Sequence, residues 1–187
     1  MKPDLIRYLQ QGRDVLLWKL DGLSDYDIRR PMVPTGTNLL GIVKHVATTE
    51  AGYFGGVFGR PFLEDLPWTM DGAEPNADMW ATADESRQFI IDLYWRVWAH
   101  SDATIAELGL EAPGEVDWWP EERRHVTLHR ILVHMVVETN RHAGHADILR
   151  ELIDGTAGHN PVNDNLDNPA NWEEQRAMLE EAAREGR

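Results

Sequence analysis

The chain has 187 residues, no cysteine, and 18 Lys plus Arg against 32 Asp plus Glu, a formal net charge of −14. Such a length is one domain by prior, large enough to bury a core without staples, and the missing thiols exclude disulfides, thiolate zinc sites and cysteine nucleophiles while fitting a reducing cytoplasm. The acidic balance repels nucleic acid, and no basic stripe overcomes it locally.

The opening residues, MKPDLIRYLQQGRDV, carry no basic-then-apolar signal pattern, and no apolar run approaches the length of a membrane span. The expectation is a soluble, cytoplasmic protein with no membrane partner. Residues 4–20 space Leu5, Tyr8, Leu9, Val15, Leu16 and Leu20 as one face of a first helix. The segment 21–37 holds two prolines and several aspartates and reads as a loop, with one capped turn from Ser24 to Asp27. Asn38 to Phe58 reads as the second helix, with Leu39, Leu40, Val43, Val46, Ala47, Phe54 and Val57 as its apolar face. His45 projects roughly 150° from the centre of that face, nearer to a weaker ridge of Ile42, Thr49 and Tyr53, at about 100° per residue.

Residues 60–81 have three prolines, two tryptophans and no period, and are long enough to be a functional loop. Thr82-Ala-Asp-Glu85 has the spacing of a capping box and is expected to open a third helix through Phe89, Ile90, Leu93, Trp95, Val97 and Ile105. Residues 109–124 are irregular and include Trp118-Trp119-Pro120. Thr127 to Gly155 then carries the longest helical pattern, with a capping threonine and a terminating glycine. After a polar stretch, Asn168-Pro169 supplies a helix-start signal for a last short helix through Trp172, Met178 and Leu179. No strand-like alternation persists. The predicted class is all-α, a four-helix bundle over 1–155 with a C-terminal extension, 156–187, bearing a short helix.

Chemistry concentrates on the longest helix. Glu138 and His142 stand four apart, and His134 and His145 lie about a turn to either side, so the four share an arc of roughly 80° overlapping the apolar stripe. Carboxylate and imidazoles facing a core must be paired, hydrogen-bonded or metal-bound. Either satisfied histidines at a helix seam or a metal site meets that need. A catalytic metal site needs at least three protein ligands and an open position. The third ligand must come from another helix, and His45 is the leading candidate. His100 and His159 read as solvent-exposed, and His125 and His129 as surface or cap residues. There is no HExxH, no pair of Glu-x-x-His motifs, no Walker loop and no GxSxG elbow.

The segments LLGIVKHVATTEAGYF (39–54) and HMVVETNRHAGHADILRE (134–151) together resemble the DinB-like superfamily of four-helix metalloproteins, nearest its mycothiol-dependent maleylpyruvate isomerase branch. The resemblance spans roughly residues 1–155. It implies an up-down bundle with a crossover, a homodimer, and His45, Glu138 and His142 as metal ligands. Relatives often read His-Arg-Gly-Gln after the last ligand; Ala143-Gly144-His145-Ala146 here leaves His145 as a proton carrier, a group behind the ligands or a competing ligand. His134 and Glu50 are expected to touch the ligands from behind, and His145 to take part in catalysis. Two imidazoles and a carboxylate suit zinc, with nickel, iron or manganese compatible by ligand type. With no cysteine in the chain, a reacting thiol must arrive as a low-molecular-weight cosubstrate; the resemblance implies mycothiol, bacillithiol or glutathione. The expected function is a metal-dependent thiol transferase or isomerase acting on a small electrophile, with the tryptophan loops shaping its pocket. The alternatives are a non-catalytic bundle with a structural metal or polar cluster, and a small-molecule binding module.

Overall fold

A computed structural model describes residues 1–162 and 171–186. The chain divides into two units, Met1–Thr156 and Ala157–Arg187. In the first, four long helices make the bundle: α1 (Lys2–Trp18), α3 (Leu39–Phe54), α4 (Arg87–Glu107) and α6 (Leu128–Asp154), with short α2 (Asp25–Arg29) and α5 (Glu121–Arg124) between them. α6 packs against α1 and α3, and α3 packs against α4. Of the long helices that follow one another in the chain, only α3 and α4 are main neighbours; the links from α1 to α3 and from α4 to α6 pass across the bundle.

The ends follow cap chemistry. Ser24, Asn38, Ser86 and Thr127 each accept a backbone N–H three residues on, and α6 stops at Gly155 in the left-handed region. The Ser24 turn and the bounds of α6 agree with the sequence reading. The third long helix does not begin at Thr82. Glu85 does accept the Thr82 N–H at 2.7 Å, but its carboxylate also receives the Lys44 ammonium, and the helix starts after Ser86. The capping-box spacing closes a turn rather than opening the helix. In the irregular stretch 109–124 and just beyond, β1 (Pro113–Glu115) pairs antiparallel with β2 (His125–Thr127), placing Gly114 opposite Val126. Three-residue strands are too short for alternation to register in a sequence.

α3 is the hub. Twelve of its residues are buried, on every side, including Lys44 and Glu50. The second ridge noted in the sequence is thus real packing surface, and His45 is left partly exposed because it faces a cleft. His159 and His125 are exposed as expected, whereas His100 is half-buried with its ring 5.5 Å from that of Phe62.

In the second unit, α7 (Trp172–Glu185) carries Trp172, Met178 and Leu179 as expected, and Asn171 caps it by accepting the N–H groups of Glu173 and Glu174. The start signal read at Asn168-Pro169 lies outside the described residues.

Candidate metal centre

Three donor atoms meet in the cleft between α3 and α6. His45 Nε2 lies 3.6 Å from Glu138 Oε1, and His142 Nε2 lies 3.1 Å from the same oxygen. The two imidazole centroids are 4.7 Å apart, and the three donors fall within 4.8 Å of one another. Donors about 2.0–2.2 Å from a tetrahedral zinc sit about 3.3 Å from one another, so this spacing fits one cation held by three ligands. Glu138 and His142 converge because they are one turn apart on α6; His45 comes across from α3.

His45 has a carboxylate behind it. Its Nδ1 lies 2.6 Å from Asp78 Oδ2, an arrangement in which Nδ1–H donates and the Nε2 lone pair is turned toward Glu138. Asp78 sits in a 3-10 turn, Ala77–Met79, inside the tryptophan loop. Two α3 residues hold that turn in place. The buried Lys44 ammonium donates to the carbonyl oxygens of Ala77 at 2.9 Å and Trp80 at 3.0 Å, and to the Glu85 carboxylate at 2.9 Å. Gly41 lets the backbone approach, since a Cβ there would overlap the Met79 carbonyl. Asp78, Lys44 and Gly41 were not singled out in the sequence. Their only signals are an acid in an aperiodic loop and a glycine four residues before His45.

The charge states suit ligation. Burial alone would raise the Glu138 carboxyl, but the His142 and His45 imidazoles hold it below its usual value. Burial lowers His142, helped by the neighbouring His45 and His145 and opposed by Glu138. An ionised carboxylate and a neutral imidazole are the ligating forms at neutral pH. His142 Nδ1, unlike that of His45, is buried with no hydrogen-bond partner among the described residues.

The other residues singled out in the sequence separate. His145 is exposed, with its ring 5.2 Å from that of His142, and it lines a cavity with Val33, Thr37, Ile148 and Leu149. His134 packs its ring 4.6 Å from Tyr53 and 5.2 Å from Trp119, and burial lowers its pKa. Glu50 stands away from the ligands in its bonding. Fully buried, it receives the Arg13 guanidinium through Nε at 3.2 Å and through Nη2. Arg13 Nη1 also reaches Asp102 at 2.9 Å. Among the described residues Glu50 makes no hydrogen bond to His45, Glu138 or His142; a buried guanidinium claims its carboxylate instead.

A helical bundle whose facing helices supply two imidazoles and one carboxylate to a common point defines a candidate mononuclear metalloprotein. The profile of the mycothiol-S-transferase family matches residues 4–155, and the chain belongs to that family, within the DinB-like superfamily. The match carries the name of an S-transferase, where the resemblance pointed nearest to an isomerase. No curated protein matches the chain. Among the described residues, no helix is long and apolar enough to cross a membrane.

Proposed function

We propose that the protein is a metal-dependent S-transferase that joins a low-molecular-weight thiol, mycothiol by family, to a small electrophile. The convergence of His45 Nε2, Glu138 Oε1 and His142 Nε2 carries the reading. Zinc is the cation their chemistry favours. Bound there with an open position, such an ion lowers the pKa of a thiol and supplies a sulfur nucleophile at neutral pH.

The chain's own groups divide the remaining work. Asp78 fixes the tautomer and orientation of His45. His145 accepts the thiol proton and passes it to solvent, a role supported by its exposure and by its ring lying 5.2 Å from that of His142. Cavities lie to either side of the ligands along α6. One contains His134 and Trp119; the other contains His145 and shares Thr37 with a more polar cleft bearing Thr35, Asn76 and Trp80. Hydroxyl and amide groups on the second side suit a polar thiol cosubstrate, leaving the aromatic side for the electrophile. In the reaction the sulfur forms a bond to an electrophilic carbon, the displaced group leaves with its electron pair, and the thiol proton departs.

The test is elemental analysis of protein purified without added metal, followed by loss of mycothiol in the presence of 1-chloro-2,4-dinitrobenzene. The expected result is about one bound cation and metal-dependent thiol consumption, both lost in His142→Ala with helix content intact. Thiol-independent stabilisation by the metal, with no consumption, would instead mark a structural ion.

A further inference from the structure

On α6, Arg130, Val133, His134 and Val137 follow at intervals of three, one and three, and so share one ridge. With Trp119 and Arg123 they line a cavity of about 520 Å³, within the size range of small-molecule sites. Its wall is apolar and aromatic. Its rim holds two guanidiniums without a carboxylate. Arg130 donates to the Arg123 carbonyl oxygen at 3.2 Å and lies 5.1 Å from the Trp119 ring centroid. Neither Arg123 nor Arg130 forms an ion pair among the described residues, although the adjacent Arg124 lies 3.6 Å from Glu115 and Arg13, Arg60, Arg87, Arg96 and Arg150 all hold acids.

Arg29 and Arg141 likewise form no ion pair among the described residues; what distinguishes Arg123 and Arg130 is that they line one cavity together, in a chain with 32 acidic residues against 18 basic ones. Two guanidiniums without an ion-pair partner among the described residues, above an apolar floor, match a molecule with a carboxylate at one end and a hydrophobic body at the other. Placement adds a direction. His134 lines the cavity, and Glu138 stands one turn further along α6, about 6 Å along the axis. A body seated on Trp119 and Val137 therefore extends from the arginines toward the ligand cluster.

We infer that this cavity is the subsite for an electrophile bearing a carboxylate on an aromatic or aliphatic body. Arg123 and Arg130 take the carboxylate, and Trp119, Val133 and Val137 take the body. The electrophile's role rests on the transferase reading above; its recognition as an anion does not, and the two are separable by experiment.

The binding test is calorimetric titration of chelator-stripped protein with 2-naphthoate and with 2-naphthamide, which has the same ring system and no charge. Naphthoate is expected to bind roughly tenfold or more tightly than the amide. Arg123→Gln/Arg130→Gln should erase that preference while leaving the amide's affinity unchanged, which shows an intact cavity. Val133→Trp, which fills the cavity, should abolish binding of both. Failure of naphthoate to bind, equal binding of both probes by the unsubstituted protein, or a charge preference that survives the double variant overturns the subsite. In a parallel assay, mycothiol consumption is compared for 4-chloro-3,5-dinitrobenzoate and its methyl ester, so the thiol is constant and only the electrophile's charge changes. A preference for the acid that is lost in the double variant supports the subsite. Consumption of both at equal rates sinks the subsite and spares the transferase. Consumption of neither, with naphthoate bound selectively, does the reverse.

Discussion

Asp78 reaches His45 from 33 residues further along the chain, and its carboxylate lies 2.6 Å from the imidazole Nδ1. The acid lies against one of the three candidate ligands while standing outside the three-donor cluster. Losing such a partner weakens metal binding by roughly 10- to 100-fold in comparable sites. Asp78→Asn should do so here, read by competition with a chromophoric chelator, while the metal-free melting temperature stays near that of the unsubstituted protein. Unchanged affinity would mean that the contact has no part in ligation.

Gly41 governs the same contact from a distance. A methyl group there meets the Met79 carbonyl, which is backbone and has little room to give. Gly41→Ala should push the 77–79 turn off α3 and carry Asp78 with it. The expected loss is about 1–3 kcal/mol of stability, typical of overpacking, together with weakened metal binding. Urea melts and chelator competition measure the two effects on one preparation.

Much of this arrangement could be read from the chain, and the reason is periodicity. Glu138 and His142 sit one turn apart in a helix whose ends are marked by Thr127 and Gly155, so their meeting is a local fact. His45 lay on no predicted face, because α3 is buried all round and a two-sided pattern has no polar side to contrast with. Asp78 was illegible for a different reason. A loop has no period, and its approach depends on a missing Cβ at residue 41 and on a buried ammonium at residue 44. Glu50 misled because spacing cannot show that an arginine 37 residues earlier in the chain claims its carboxylate.

The Arg13–Glu50 pair is a packing device with its own signature. Both side chains are almost fully buried, so truncating one leaves the other charged and desolvated. Glu50→Leu or Arg13→Met alone should lose about 3–5 kcal/mol, whereas Arg13→Met/Glu50→Leu should recover much of that loss. Asp102 tempers the recovery, since its bond to Arg13 also goes. Chemical denaturation of the four proteins gives the coupling directly, and purely additive losses would contradict the pairing.

His134 links pH to the aromatic side of the cleft. Burial holds its imidazole below the ordinary value of about 6.5, with Arg130 lowering it further and Glu138 pulling the other way. The unfolded chain therefore takes up this proton at a higher pH than the folded one. Stability contributed by His134 is complete above about 6.5 and falls as pH drops from there to the folded pKa. His134→Gln should flatten that part of the stability profile. Removing the guanidinium with Arg130→Gln should raise the His134 pKa, and Glu138→Gln should lower it, as followed through the ring-proton shift in NMR titrations of metal-free protein. Shifts of the same sign in both variants would refute this account of the charges around His134.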